Sequence, residues 1–400
     1  MSTLAKVPVH RSDLYSAAAI RDPYPRYTAL RDLGPVVWLS RHKVYALPRY
    51  AECKAVLLDD ETFISGEGVA LNCVANRTGR GTTLYSDGED HARRRGQVAH
   101  RLTPRALRSM KDAVERQAAE VVDAAVARRT VDGVEMATEL PMSVVPDFVG
   151  WPEEGREHLL RWAGAAFDAQ GPANRQSMKT FPSALGMVRF AHRVVRERTV
   201  LEGSMGDDIL RAADAGAMPH AECATLMMDY LAPSLDTTIS AISSALYLFA
   251  THPDQWRLLK EDPGLIPNAV NEVVRYESPL RAFARTAARD CEVAGTAIPK
   301  GSRLLVVYAS ANRDPREWDD PDTFDIRRDA ARQLGFGHGT HGCAGQGLAR
   351  LETSAMLRAL IDRVDRIEVT GTPEWALNNI IHRFERLPLE LVPTREGEGR

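Results

Sequence analysis

The sequence predicts a mainly α-helical protein with small β-sheets, arranged as a helical lobe and a smaller β-rich lobe. Residues from about 89 to 275 are rich in Ala, Leu, Arg and Glu with helical periodicity, and one stretch within them is apolar on nearly all sides. Short β-rich runs lie outside that region. We expect one continuous domain over residues 1–400, because no repeat, low-complexity tract or long Gly/Ser linker interrupts the chain.

Length, charge and cysteine usage limit the function classes. The 400 residues carry 51 Lys and Arg against 54 Asp and Glu, which argues against a general nucleic-acid binder. No run of about 18 apolar residues occurs, and the N-terminus lacks a signal-peptide pattern, so we expect a cytoplasmic protein without a membrane anchor. Five scattered cysteines without a C-x-x-C pair argue against a disulfide framework and a structural zinc site.

The predicted elements follow from local patterns. Residues 36–39 and 44–47 are β-rich runs around a polar turn, which predicts a hairpin. The apolar segment from His220 to about Ala250 predicts a long helix through the core. Further short strands are expected at 291–294 and 303–308, and the last thirty residues alternate apolar and polar side chains. The β-rich parts are therefore about 30–70, 280–310 and 365–395.

The glycine-rich loop 336–345 carries the most chemical information. Its glycines allow the backbone to approach a flat ligand closely. Apolar residues recur at helical spacing directly after Cys343, so this cysteine is predicted at a helix N-terminus, where N–H groups favour a thiolate. At this point three roles for Cys343 stay open: a metal ligand, a nucleophile with His338 or His341 nearby, and a small core residue.

This loop resembles the haem-binding loop of the cytochrome P450 superfamily. The family pattern F-G-x-G-x-H-x-C-x-G is matched at every fixed position from Phe336 to Gly345. The resemblance implies the cytochrome P450 fold around a buried haem b (iron protoporphyrin IX), with Cys343 as the iron ligand. Phe336 and Gly337 are then cofactor-binding residues of the same loop.

A second match lies some seventy residues earlier. Glu272 and Arg275 are three residues apart and share one helix face. In isolation such a pair is typical of a solvated salt bridge, but its position resembles the buried Glu-Arg pair of the family. The resemblance implies that Arg328 completes the cluster and that all three residues are structural.

A third match lies in the long apolar helix, where Asp236 and Thr237 place polar groups that cost free energy to bury unless they are hydrogen-bonded. The family's oxygen-activation motif, A-G-x-(D/E)-T, aligns with residues 233–237, so the acid and the alcohol match and the Ala-Gly pair does not. By resemblance Asp236, Thr237 and Ser234 are the catalytic residues. Pro233 lacks a helical N–H and is expected to open the helix, while Ser234 either binds oxygen, water or substrate or bonds back to the helix.

Seven basic residues and no acid occur between His91 and Lys111. The family's H-x-x-x-R motif is present as His91 and Arg95, and with Arg285 and His341 these residues are implied to bind the haem propionates. The remaining arginines predict a positive surface for an acidic electron donor, a [2Fe-2S] ferredoxin served by an NAD(P)H-dependent reductase.

The substrate pocket is predicted to be mostly apolar. Its candidates by position are Val69, Leu71, Phe167, Leu231, Pro233, Ser234, Leu280 and Phe283. The segments 22–48 and 311–315 resemble soluble bacterial members, some of which oxidise benzoates or demethylate methoxyarenes. Arg77 and Arg80 either clamp a substrate carboxylate or are solvated loop residues.

These observations predict a haem-thiolate monooxygenase that inserts one oxygen atom from O2 into a small apolar substrate, by hydroxylation or by O-demethylation of an aromatic compound. The alternatives are a hydroxylase of a macrolide, terpenoid or peptide, a peroxygenase, and a haem sensor without turnover. Asp236 and Thr237 argue against a peroxygenase, because hydrogen peroxide already carries the protons and electrons.

Overall fold

A computed structural model describes residues 7–394, so the first and last six residues lie outside it, including the start of the segment analysed for a signal peptide. Helices form most of the described chain. The α-helices are α1 (Ala17–Arg21), α2 (Tyr24–Leu33), α3 (Tyr50–Leu58), α4 (Cys73–Thr78), α5 (Gly88–Ala99), α6 (Pro104–Arg128), α7 (Gly133–Val149), α8 (Leu159–Gln170), α9 (Arg175–Glu197), α10 (Met205–Asp214), α11 (Cys223–Thr251), α12 (Pro253–Glu261), α13 (Ile266–Tyr276), α14 (Tyr308–Ala311) and α15 (Gln346–Arg363). Short 3-10 turns cover His100–Leu102, Arg156–His158, His220–Glu222, Pro263–Leu265 and Gly339–His341.

The strands are short and form small sheets. They are β1 (Val9–His10), β2 (Val37–Leu39), β3 (Val44–Leu47), β4 (Phe63–Ile64), β5 (Thr130–Asp132), β6 (Phe283–Ala287), β7 (Cys291–Val293), β8 (Thr296–Ile298), β9 (Arg303–Val306), β10 (Val364–Val369), β11 (Glu374–Trp375), β12 (Phe384–Arg386) and β13 (Pro388–Pro393). The largest sheet among them has the order β1-β2-β3-β9-β6-β4, a second has the order β10-β13-β5, and β11-β12 and β7-β8 form two-stranded pairs. The predicted fold class, mainly α with small sheets, is confirmed.

Helix α11 runs through the core, as its apolar sequence predicts. It packs against α7, α8, α9, α13 and α15, and most of its side chains from Leu226 to Phe249 are buried. Burial on every side explains why the helix is apolar nearly all round. No helix in residues 7–394 is both long enough and apolar enough to cross a lipid bilayer.

Local patterns place most strands correctly and miss two details. The predicted hairpin is present, with Val37 opposite Ala46 in an antiparallel register. The predicted strand 303–308 ends at Val306, because Tyr308 begins α14. The strand β5 lies within the region predicted to be helical and pairs with β13. Three residues are too few to show a period in the sequence, so only the long-range partner reveals this strand.

Candidate active site

A cavity of about 420 Å³ lies between α11 and the loop that contains Cys343. Its volume falls in the range of small-molecule sites. The structure brings thirteen of the predicted site residues to its wall: His91, Arg95, Phe167, Pro233, Ser234, Thr237, Leu280, Phe283, Arg285, Phe336, Gly337, His341 and Cys343.

The cysteine loop is closed by its own backbone. The N–H of Cys343 donates to the carbonyl oxygen of Phe336 at 2.7 Å, and the N–H of Gly342 donates to that of Gly339 at 2.9 Å. Gly337 and Gly339 have φ of 69° and 67°, a region that side chains disfavour, and a Cβ on Gly339 would also collide with the carbonyl of Leu57. The dense glycines are therefore needed for the shape of the loop. Helix α15 begins at Gln346, three residues later than the sequence predicts for a helix starting at the cysteine.

Two features of the surroundings of Cys343 act on its thiol in opposite directions. Burial raises the pKa of the thiol, while the backbone N–H groups of Gly345 and Gln346 and the charges of Arg95 and Arg350 lower it. These donors are the groups that an anionic sulfur requires. Burial dominates, so the pKa of the free thiol is raised, and these donors would stabilise an anionic sulfur once a metal cation is bound to it.

Three basic side chains, His91, Arg95 and His341, form a cluster at the same end of the cavity, and Arg285 also lines the cavity. Arg95 donates to the carbonyl oxygen of Gly342 at 2.8 Å, and the rings of His91 and His341 lie 4.3 Å apart. Burial, with His341 and Arg95 nearby, lowers the pKa of His91 to about 4. His341 Nε2 is buried without a hydrogen bond among the described residues, and its closest acid, Asp87, is 3.6 Å away.

This end of the cavity fits a haem. Asp87 is the acid closest to this cluster, 3.6 Å from His341 Nε2, and two propionates would supply the further negative charge that the other basic side chains require. The cysteine loop presents a sulfur with thiolate-stabilising donors. Near that sulfur, a Cβ on Gly345 would lie 3.7 Å from Ser234 Oγ, so α11 and the loop approach each other closely beside the cavity.

The predicted Glu-Arg cluster is assembled, with Glu272 and Arg275 fully buried and Arg328 partly exposed at its edge. Arg275 Nε donates to Glu272 Oε2 at 2.6 Å, and Arg328 Nε lies 3.4 Å from Glu272 Oε1. Each side-chain N–H of Arg275 has an acceptor, the others being Glu272 Oε1 and the carbonyl oxygens of Asn312, Pro321 and Thr323. The cluster ties α13 to the segment that precedes the cysteine loop.

The acid and the alcohol of α11 face different surroundings. Thr237 lines the cavity, and its hydroxyl donates to the carbonyl oxygen of Pro233 at 2.6 Å. Asp236 does not line the cavity, because its carboxylate points to Arg383, whose Nε lies 3.1 Å from Oδ1. Burial raises the pKa of Asp236, and Arg383 opposes that shift. Asp236 Oδ2 is buried without a hydrogen bond within residues 7–394.

Several predicted pocket residues lie elsewhere. Val69 and Leu231 are buried in hydrophobic clusters, and Leu71 packs at the edge of another, so these three do not line the cavity. The structure also does not support the predicted clamp of Arg77 and Arg80 on a substrate carboxylate. Arg77 is exposed and Arg80 pairs with Glu67 at 3.6 Å, and neither reaches the cavity wall.

The predicted positive surface is smaller than the sequence indicates. Arg93 and Arg94 both pair with Glu222 at 3.0 Å, and Arg101 pairs with Asp208 at 2.6 Å. These acids come from distant segments of the chain, so a local count of charges overestimates the exposed positive charge.

Two residues near the site were not found from the sequence. Arg383, the partner of Asp236, lies 147 residues further along the chain and belongs to no local motif. Asp229 also lines the cavity, and it is an acid in the same apolar helix as Asp236. Burying a polar group in an apolar helix costs free energy, and this argument, which identified Asp236 as a candidate, applies equally to Asp229.

The buried haem-type cavity, the cysteine loop and the Glu-Arg cluster agree with what comparisons with known proteins show. Residues 264–374 match the family model "Cytochrome P450". The chain is 37% identical to "Cytochrome p450 CYP199A2" of Rhodopseudomonas palustris over 394 residues, which are 97% of this chain and 96% of that protein. The chain therefore belongs to the cytochrome P450 family, and it is a monooxygenase whose cofactor is haem b.

Other relatives and solved structures extend the comparison. The chain is 31% identical to the 6-deoxyerythronolide B hydroxylase of Saccharopolyspora erythraea over 95% of this chain and 98% of that protein. The structure of epothilone D-bound cytochrome P450epoK superimposes with a TM-score of 0.85, at 27% identity, and the match covers 96% of this chain and 99% of that one. These likenesses confirm the predicted family and fold.

Proposed function

We propose that this monooxygenase inserts one oxygen atom from O2 into a small, largely apolar substrate, by hydroxylation or O-demethylation of an aromatic compound. The observation that carries this proposal is the wall of the cavity. Phe167, Leu280 and Phe283 line it together with Pro233 of α11. Haem would occupy the part of the cavity next to Cys343, and the aromatic and apolar side chains of the remaining wall favour an apolar ring.

Haem, when bound, supplies the iron at which O2 is reduced and from which the oxygen atom is transferred. In our proposal Cys343 would hold the iron through its thiolate, and the N–H groups of Gly345 and Gln346 would stabilise the negative charge on sulfur. Arg95, Arg285 and the two histidines of the basic cluster bind the propionates.

Thr237 and Asp236 supply protons in this proposal. The Thr237 hydroxyl lies at the cavity wall, where it orients a proton-donating water. Asp236 is the buried carboxyl behind it and exchanges protons on the side of Arg383. This acid and alcohol favour turnover with O2 over a peroxygenase or a sensor without turnover.

We propose a ferredoxin, reduced by an NAD(P)H-dependent reductase, as the electron donor. Helix α6 packs against α15, which follows the cysteine loop, and its first turns carry the exposed Arg105 and Arg108. Leu58 is 55% exposed, and its Cα lies 3.5 Å from where a Cβ on Gly339 would be. An apolar contact beside basic side chains suits an acidic protein partner.

The carbon monoxide spectrum of the reduced holoenzyme tests the proposal. We expect a thiolate-type Soret band in wild type, its loss in Cys343→Ser, and an unchanged band in Cys73→Ser, because Cys73 is exposed and outside the cavity. A thiolate-type band in Cys343→Ser would exclude Cys343 as the ligand. Methoxyarenes are then added to the ferric protein, and a low-to-high-spin shift supports a small aromatic substrate. The absence of a shift with every arene would contradict that substrate class.

A further inference from the structure

The cavity has two chemically different ends. The end near Cys343 carries His91, Arg95 and His341, and Arg285 also lines the cavity; the proposed propionate contacts use these four basic side chains. Among the other residues of the wall, Asp229 is the one acidic side chain, and no further basic side chain is present within the described chain. The part of the cavity left for substrate therefore has an acid and lacks a cation.

Asp229 is held in place and still has bonding capacity. The backbone N–H of Thr83 donates to Asp229 Oδ2 at 2.5 Å, across 146 residues of sequence. Burial raises the pKa of Asp229 to about 7, although this hydrogen bond, the nearby Thr83 side chain and the charge of Arg94 oppose the shift. Thr83 Oγ1 is itself buried without a hydrogen bond in the described part of the chain, and Thr83 also lines the cavity.

Pro233 adds a second acceptor to the same place. Residue 233 would normally donate its N–H to the carbonyl oxygen of residue 229, four positions earlier, and proline has no N–H. The Asp229 carbonyl therefore lacks its usual helical donor. The Asp229 carboxyl at the cavity wall, the Thr83 hydroxyl beside it and a carbonyl without its usual donor together form a site that is rich in hydrogen-bond acceptors.

We propose that Asp229 is the specificity-determining residue of the cavity and that it binds a protonated amine on an otherwise apolar substrate. This inference rests on the proposed function, since it assigns the polar group of that substrate. The ammonium ion donates to Asp229, which restores the full negative charge of the carboxylate, and the apolar remainder points toward Cys343. A substrate carboxylate is rejected, because it would place two negative charges side by side in a buried site.

The test uses four ligands of one shape with the ferric holoenzyme: 4-methoxybenzylamine, 4-methoxybenzyl alcohol, 4-methylanisole and 4-methoxybenzoate. Calorimetric and optical titrations at pH 7 are compared for wild type and for Asp229→Asn, an isosteric change. Thr225→Val is the matched control, because Thr225 lines the same wall one turn earlier on α11.

In wild type we expect the amine to bind about tenfold or more tightly than 4-methylanisole and the benzoate to bind most weakly. Asp229→Asn should abolish the preference for the amine with little change for 4-methylanisole, and Thr225→Val should keep it. Equal affinities for all four ligands, tightest binding of the benzoate, or an unchanged preference in Asp229→Asn would overturn the proposal. If Asp229→Asn does not fold, the wild-type ranking alone decides.

The optical shift identifies which end of the ligand faces the iron. A shift to high spin with the amine is expected, since its nitrogen binds Asp229 away from the iron, and a nitrogen-ligated low-spin spectrum would contradict the proposal. A normal carbon monoxide spectrum together with no amine preference would reject this inference alone. Loss of the thiolate-type band itself would reject the proposed function.

Discussion

The Glu272–Arg275 pair and the acids of α11 both lie inside the protein, and they differ in how completely their polar atoms are bonded. Both oxygens of Glu272 and all five N–H groups of Arg275 have partners. Asp236 has one oxygen without a hydrogen bond, and the contacts of the Asp229 carboxyl come from one residue, Thr83. Complete bonding makes a rigid structural cluster, whereas open bonding positions beside a cavity are available to protons and ligands.

The sharpest test of this comparison removes one member of the complete cluster. We expect Arg275→Met to lower the free energy of unfolding by about 3–5 kcal/mol, because Glu272 would remain buried with most of its negative charge unpaired. Chemical denaturation measures the loss. Arg257→Met is the control, because Arg257 and Asp254 also form a pair three residues apart, with both side chains exposed. We expect it to change stability by no more than about 0.5 kcal/mol. A loss below 1 kcal/mol in Arg275→Met would mean that the cluster does not have the structural role that its complete bonding indicates.

A second test concerns the incompletely bonded Asp236. Burial raises its pKa and Arg383 lowers it, so Arg383→Gln should raise the pKa further. A carboxyl whose folded pKa exceeds its unfolded value stabilises the fold when protonated, and this contribution is lost as pH rises through the folded pKa. The stability deficit of Arg383→Gln relative to wild type should therefore grow from pH 5 to pH 8, to about 1–3 kcal/mol.

Arg386→Gln is the control for this pH dependence. Arg386 lies three residues further along, and its side chain is exposed and 3.9 Å from Glu374. We expect its stability difference from wild type to be the same at all pH values. A deficit of Arg383→Gln that shrinks as pH rises would show that Arg383 does not act on Asp236.

A third test separates the function of a hydroxyl from its contribution to the helix. Thr237→Ala should lower product formed per NADH about tenfold and release hydrogen peroxide, because the cavity loses the hydroxyl that orients water. Thr251→Ala removes an equivalent back-bond, from Thr251 Oγ1 to the carbonyl oxygen of Tyr247 at 2.8 Å, at the exposed end of the same helix. It should leave coupling unchanged. Equal coupling in both variants would assign Thr237 a purely structural role.

The smallest effect is expected at Ser234. Ser234 lines the cavity, and no hydrogen bond from its Oγ is found among residues 7–394. The predicted alternative, a hydrogen bond from this hydroxyl back to a helix carbonyl as Thr237 makes, is therefore not supported. Ser234→Ala should change substrate affinity two- to threefold, roughly the value of one weak hydrogen bond. Ser244→Ala removes a buried hydroxyl of α11 outside the cavity and should leave affinity unchanged. Spectral titration measures both, and identical affinities would show that Ser234 does not contact substrate.

Features that depend on neighbouring residues could be predicted from the sequence. The cysteine loop is one continuous segment whose glycines fix its shape. The burial of α11 follows from its composition, and the pairing of Glu272 with Arg275 follows from their spacing of three residues on one helix. Covalent connectivity and helix geometry determine all three, so no other part of the chain is needed to predict them.

Only the tertiary structure decided which distant groups meet. Glu222 neutralises Arg93 and Arg94, Arg383 reaches Asp236, and Thr83 fixes Asp229 at the cavity wall. No local period encodes such pairs, because they form when separate helices and loops pack against one another. The physical reason is that the charge and hydrogen bonding of a buried group depend on every element packed around it. A local sequence pattern describes only the neighbours within its own segment.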